Sequence, residues 1–347
     1  MHGIAARRRP GLSRTWLRPV LCALALCWLV IQVTPAIAQQ QDRPIDPNAS
    51  VTNEQTLLRK LNRIHGRIDI PNKTAANLEQ PAGRAWRFYH EVLLHWGAAV
   101  IILGVIGLLA VAYAFLGRQR LAAGRSGVKV RRFNGFERFS HWLTATSFVV
   151  LALTGLNITF GKLLLLPLIG PSAFSRLSEL GKFTHDFTSF AFVVGLVLIV
   201  ALWLEDNFIG KVDVIWLRQG GGFVGGKHPP AGRFNAGEKL VFWLVVAAGL
   251  GVAVSGYLLL FPFYVTNIAG MQIAQVAHSA IAVLFIALII GHIYIGTLGM
   301  EGAFEAMGTG SVDLNWAKQH HRLWYEDEVA KGDAPARPPR SAEAAAE

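Results

Sequence analysis

Apolar residues fall into long unbroken runs separated by shorter polar stretches, the pattern of helices that span a bilayer. A first run covers 20–33. Five longer ones cover 92–116, 139–160, 183–204, 239–261 and 272–297. At about 1.5 Å of rise per residue, each of the five can cross a hydrocarbon layer about 30 Å thick. Charge between the runs alternates. Arg118, Arg120, Arg125, Lys129, Arg131 and Arg132 follow the first long run, and Lys211, Arg218, Lys227 and Arg233 follow the third. The segment 262–271 holds no Lys or Arg. By the positive-inside rule the basic segments are cytoplasmic, so the chain enters from outside, crosses five times and ends inside. Segment 161–181, with Pro167, Gly170 and Pro171, is then an outer loop.

The first run is too short to span comfortably. It follows Arg7, Arg8 and Arg9 and precedes Ala36-Ile37-Ala38, so residues 1–38 read as a secretory signal cleaved before Gln39. The next fifty residues are polar and broken by Pro44, Pro47, Pro71 and Pro81, with a short helical pattern around 53–64. They suggest no chemistry. No internal repeat stands out.

The last run changes the picture, because two histidines interrupt it. His278 and His292 are 14 residues apart, roughly 21 Å of helix rise, and fall within about 40° of each other around the helix. Ionisable groups inside a membrane are costly, and imidazole is a common axial ligand of haem iron. Topology supplies partners. His185 opens an inward helix and matches His278 in depth near the outer surface. His141 opens an outward helix and matches His292 near the inner one. A lone membrane histidine is ordinarily a hydrogen-bonded packing residue. Four in two depth-matched pairs point to two haems b, the iron of one held by His185 and His278 and that of the other by His141 and His292. Gly155, Gly195, Ser255, Gly256 and Gly291 lie on the helices that would line them. His95 matches the outer pair in depth but sits beside His90 and Trp96 and reads as interfacial. His320 and His321 read as surface residues suited to a partner contact.

Composition narrows the class. The chain of 347 residues is 52% hydrophobic and 16% charged, as in a multi-span membrane protein. Its net charge of +11 lies between apolar runs and is not a nucleic-acid signal. The two cysteines, Cys22 and Cys27, both fall in the signal, which excludes iron–sulfur clusters and disulfides from the processed chain. No CxxCH motif attaches haem covalently. A transporter would place charges or broken helices at mid-membrane, and the runs carry almost none. The glycines at 220–222 and 225–226 lack the context of a phosphate loop.

The segments RFNGFERFSHWL, ELGKFTHDF, RFNAGEKLVFW, AQVAHSA, IIGHIYIG and WAKQHHRLWYEDE resemble, in order and spacing, the cytochrome b (gamma) subunit of respiratory formate dehydrogenase over roughly residues 130–328. The resemblance implies the same two histidine pairs. It also implies a site for menaquinone or ubiquinone at Asn235 and Gly237 with His292 nearby, although Asn235 by residue type is first of all a helix N-cap. The implied partners are an iron–sulfur (beta) subunit and a molybdenum- or tungsten-containing catalytic (alpha) subunit on the periplasmic face of a bacterial inner membrane. Electrons would pass from the outer haem to the inner haem to quinone. Formate oxidation would lie on another subunit. Cytochrome b subunits of nickel–iron hydrogenase or thiosulfate reductase are the alternative.

The expected fold is an all-α membrane protein. A four-helix transmembrane cytochrome b bundle carries one extra N-terminal transmembrane helix and a signal peptide. The expected organisation is signal 1–38, periplasmic extension 39–91, additional span 92–116, basic cytoplasmic linker 117–135, di-haem domain 136–328 and a disordered cytoplasmic tail 329–347.

Overall fold

The computed structural model describes residues 83–222 and 228–335. The proposed signal, most of the extension including 53–64, both cysteines and the end of the tail lie outside the described residues. Five helices are long and apolar enough to cross a membrane: α1 (Gly83–Leu116), α2 (Gly135–Leu164), α3 (Leu166–Trp203), α5 (Ala236–Leu260) and α6 (Ile268–Gly299). The short α4 (Lys211–Arg218) lies between α3 and α5. After α6 come α7 (Ala303–Gly308), α8 (Leu314–His320) and α9 (Arg322–Lys331). Two short strands, β1 (Lys129–Arg131) and β2 (Ser311–Asp313), pair antiparallel with Val130 opposite Val312.

Close helix packing rests on small side chains, as membrane helices require. Ser140, Thr144 and Ser147 form a buried stripe on α2, and each hydroxyl hydrogen is spent on a carbonyl of its own helix. Opposite them Gly195 brings α3 so near that a Cβ there would lie 3.0 Å from the Thr144 backbone nitrogen. α1 packs on α6, where Trp86 Nε1 donates to Gln275 Oε1 (3.1 Å) and the Tyr89 hydroxyl meets Ser279 Oγ (2.9 Å).

The expected outer loop 161–181 is helical instead. Pro167 sits in the first turn of α3, where a missing N–H costs nothing. Gly170, at φ 77°, kinks the chain, and Pro171 restarts the helix. The punctuation read as a loop is a helix start repeated twice.

The stretch read as a basic linker is not one. With 300–335 it folds into a compact cap across one end of the bundle. Val130, Phe133, Val312, Leu314, Trp316, Ala317, Trp324 and Tyr325 are buried there with Trp203 and Phe234 from the bundle side. Arg132, counted above among solvated basic residues, is 5% exposed. α9 runs to Lys331 and Tyr325 donates to the Pro335 carbonyl, so structure continues past 329.

The structure also exposes a repeat. Arg132-Phe133-Asn134-Gly135-Phe136-Glu137 opens α2, and Arg233-Phe234-Asn235-Ala236-Gly237-Glu238 opens α5. Both form capping boxes in which Asn accepts from the Glu amide and Glu accepts from the Asn amide. The arginines are exchanged. Arg132 Nη2 donates to Glu238 Oε1 (3.0 Å), and Arg233 Nη2 pairs with Glu137. Phe133 and Phe234 meet at 5.9 Å between centroids, each also against Trp203. Six residues in each copy are too few to register as a repeat until the pairing shows what they share.

Candidate functional site: two imidazole pairs along one helix

α6 carries His278, Phe285 and His292 at seven-residue intervals, close to two helical turns, so they share one face. Each histidine meets one from the α2–α3 hairpin. His185 and His278 have ring centroids 6.2 Å apart, and His141 and His292 6.3 Å. A metal–imidazole bond of about 2.0–2.1 Å, with the ring centre roughly 1 Å beyond the nitrogen, puts two trans imidazoles about 6 Å apart. The spacing suits one metal atom between each pair.

Hydrogen bonding sets which nitrogen is free. The Thr154 hydroxyl donates to the Val150 carbonyl (2.7 Å), so toward His185 Nδ1 (2.8 Å) it accepts. The Ser255 hydroxyl likewise donates to Gly251 (2.6 Å) and accepts from His278 Nδ1 (3.1 Å), which also lies 3.1 Å from the Val252 carbonyl. Both rings therefore carry hydrogen on Nδ1 and present the lone pair of Nε2, the arrangement a metal-ligating histidine needs. At the other pair, His141 Nδ1 is buried without a hydrogen-bond partner among the described residues, so no protein acceptor fixes its tautomer as Thr154, Ser255 and Val252 do at the first.

Glycines give room. A Cβ on Gly256 would lie 3.1 Å from His278 Cε1, and one on Gly155 3.6 Å from His185 Cε1. The other two expected to line the pairs differ. Gly195 serves the α2–α3 crossing, and a Cβ on Gly291 would meet open space. Between the pairs Phe285, 2% exposed, packs on Phe148 (4.5 Å) and Phe192 (6.2 Å). Phe285 went unremarked in the sequence, though its place halfway between two histidines was the available signal. His95 is not drawn into either pair. Its Nδ1 lies 2.8 Å from the His90 carbonyl and its ring stands edge-on to Phe160.

Asn235 is the N-cap of α5, its Oδ1 accepting from Glu238 N (3.0 Å). Gly237 lies against Trp216 of α4, whose Cη2 would be 3.1 Å from an added Cβ. Lys239 Nζ to Asp213 Oδ2 (2.8 Å) ties α4 to the same turn. Trp216 also escaped the sequence reading. The expectation of surface histidines holds less well. His321 is 1% exposed, with Nδ1 bonded to the Gly232 carbonyl (2.9 Å), and His320 stacks beside Trp316. His321 is buried against Trp316 and Trp324, and His320 is half-buried between Trp316 and His228.

Apolar spanning helices holding paired imidazoles define a membrane cytochrome of the b type. The sequence model of the prokaryotic cytochrome b561 family matches residues 132–310, just over half of the chain, and the chain belongs to that family. It is therefore a multi-pass membrane protein, and membership implies haem b. It is similar to the formate dehydrogenase cytochrome b556(fdo) subunit of Escherichia coli K12, at 29% identity over 56% of this chain and 92% of the relative. The nitrate-inducible formate dehydrogenase cytochrome b556(Fdn) subunit of the same strain is 28% identical over 57% and 90%. A formate dehydrogenase cytochrome b556 subunit of Haemophilus influenzae is 27% identical over 55% and 80%.

Proposed function

We propose that this chain is the membrane-anchoring, di-haem cytochrome b subunit of a respiratory formate dehydrogenase in a bacterial inner membrane. It takes electrons from a periplasmic iron–sulfur subunit and delivers them to menaquinone or ubiquinone. The catalytic subunit, containing molybdenum or tungsten, oxidises formate. The observation that carries this is the pair of pairs: two imidazole couples at metal-spanning distance, stacked along one face of α6.

In this reading His185 and His278 are the axial ligands of one haem b, and His141 and His292 of the other. Bound haem b supplies a one-electron carrier. The protein's own contribution is to fix ring tautomers through Thr154, Ser255 and Val252, to clear space with Gly155 and Gly256, and to keep water from between the pairs with Phe148, Phe192 and Phe285. The capped end is cytoplasmic and the His185–His278 end periplasmic, in keeping with the basic segments. Asn235 and Gly237 at the start of α5, with His292, hold the quinone, where a helix N-terminus offers unbonded N–H groups to a carbonyl. α1 and residues 39–82 are additions to the four-helix form, and residues 1–38 are a cleaved signal.

The test is a pyridine haemochrome assay on the purified protein together with donor-driven reduction in the co-purified complex. Two non-covalent haems b per chain, reduced by formate, are expected. One haem or none sinks the di-haem reading. Reduction by hydrogen and not formate moves the chain to the nickel–iron hydrogenase partners, and reduction by neither while thiosulfate accepts electrons moves it to thiosulfate reductase.

A further inference from the structure

The turn that opens α5 is gripped from outside by residues far away in sequence. The Leu323 amide donates to the Ala231 carbonyl (3.1 Å) and His321 Nδ1 to the Gly232 carbonyl (2.9 Å). Arg132 Nη2 donates to both the Arg233 carbonyl and Glu238 Oε1, each at 3.0 Å. Glu238 Oε2 in turn accepts from the Asn235 amide (2.9 Å) and faces His321 Nε2 at 3.6 Å. Because Nδ1 donates to a carbonyl, His321 presents its Nε2 lone pair toward Glu238. The bond to Gly232 thus fixes the ring, and Arg132 fixes the carboxylate that closes the capping box.

Arg132 is itself held rigidly. Its guanidinium carbon lies 5.2, 5.0 and 5.4 Å from the ring centroids of Phe133, Trp316 and Trp324. Those rings come from both sides of the cap, so the cap and the start of α5 cannot shift independently. The opposing copy of the motif needs no such brace. Glu137 is saturated by Asn134, Arg233 and Trp203 Nε1 and is 5% exposed. The side chain of Glu238 is 37% exposed. The copy that carries the proposed quinone contacts is the one left open and the one clamped by the C-terminal segment.

We infer that His321 and Arg132 are positioning residues for the quinone site, through which the C-terminal cap sets the geometry of Asn235 and Gly237. The inference rests on the quinone reading above. In it the cap holds the turn in its binding shape before quinone arrives, so loosening the clamp weakens binding without touching electron delivery to the histidine pairs.

The experiment uses the assembled complex in membranes, with His321→Ala, His321→Asn, Arg132→Lys and Asn235→Leu. Steady-state kinetics with a short-chain ubiquinone are compared with haem content, with the rate of haem reduction by the natural donor, and with direct quinone binding read as tryptophan fluorescence quenching. In His321→Ala the KM and the dissociation constant should rise about fivefold or more, with haem content and donor-side reduction as in wild type. His321→Asn, which can keep a donor toward the Gly232 carbonyl, should recover part of the loss. Arg132→Lys keeps the charge without the fork and should resemble His321→Ala.

If Asn235→Leu weakens binding but His321→Ala, or His321→Asn and Arg132→Lys should the alanine variant not assemble, binds quinone as wild type does, the clamp is overturned while the quinone site stands. If Asn235→Leu itself changes nothing, the quinone site is elsewhere and both readings fall. A rise in KM matched by loss of haem in every variant would mean general unfolding and would also overturn the positioning role.

Discussion

Three bundle histidines are half-buried and His292 is exposed, whereas Arg132 is buried, and the protein treats the two regions differently. His185 and His278 are hydrogen-bonded through Nδ1 to Thr154, Ser255 and Val252, and His141 Nδ1 has no partner among the described residues. Arg132 bonds Glu238 and the Arg233 carbonyl through Nη2 and lies among three aromatic rings, while its Nε and Nη1 are buried without a hydrogen-bond partner among the described residues. The bundle sets its imidazoles in facing pairs and leaves ring nitrogens unspent, and the cap surrounds one cation with a carboxylate and aromatic rings. Damage to the first should therefore cost haem, and damage to the second should cost cap stability and, on the inference above, quinone affinity.

The sharpest separation comes from His292→Ala. On the proposed ligation this removes one of two ligands and should empty that site, lowering haem from two per chain to one. His278 lies about four helical turns from His292 along α6, and it should keep its haem together with His185 of α3. Quinone reduction should fall by at least about 100-fold while the remaining haem is still reduced by formate. A variant that reduces quinone at the wild-type rate would mean that this pair is not an obligatory relay.

Arg132→Leu attacks the other region. It leaves Glu238 without its cation and the aromatic cage without its centre. The Glu238 side chain is 37% exposed and can be hydrated once its cation is gone, so the cost falls below the roughly 3–5 kcal/mol of a fully buried pair. The loss should appear as protease-sensitive bonds in 311–335 and an earlier unfolding step of the cap, with two haems retained. Haem loss matching cap loss would erase the distinction between the regions.

The bundle was legible in the sequence because its signals are local. Run length, loop charge and histidine depth each need only one stretch of chain, and the four helices of the cytochrome core lie where those signals place them. The cap was not legible, because its signals are pairwise. Nothing local distinguishes Arg132 from its solvated neighbour Arg131. What buries it is a set of rings about 180–190 positions later, delivered by two three-residue strands too short to show a period. His321 was misread for the same reason. Pro167 and Pro171 misled differently, since proline marks a helix start as readily as a loop, and only the backbone at Gly170 decides between them.

Acid should discriminate the regions more gently. Burial, with Arg132 adding to it, holds the His321 pKa well below the ordinary value of 6.5, and burial with His321 beside it lowers His320 to about 3. A histidine depressed in the folded state is neutral in both states above 6.5, so it takes nothing from stability there. Between its folded pKa and 6.5 the unfolded cap binds the extra proton, and stability falls as pH falls. The slope is about 1.4 kcal/mol per pH unit for the fully buried His321. Hydrogen-exchange protection factors in 311–335, which discount the intrinsic slowing of exchange in acid, should therefore fall from pH 6.5 to pH 5, and Arg132→Lys should not abolish the effect because burial is the larger cause. Protection factors that stay constant across this range would show that the two rings titrate as if exposed.

The smallest expected effect tests whether the bundle's proposed ligands are confined to four histidines. His95 lies on α1 near the His185–His278 end, and by depth alone it could serve there. Its Nδ1 is engaged by the His90 carbonyl at the π turn Tyr89–Leu93, and its ring packs edge-on against Phe160 at 5.7 Å. Those contacts hold it from within the chain. His95→Ala should cost the one hydrogen bond, about 1 kcal/mol, and some packing of α1 on the bundle. The haem count should stay at two and the b-type absorption bands should not move, since no ligand has changed. Gly256→Ala is the matched control, because its added methyl would press within 3.1 Å of His278 Cε1 and should shift the bands of that haem. If His95→Ala loses a haem and Gly256→Ala does not disturb one, α1 supplies a ligand and the pairing of His185 with His278 is wrong.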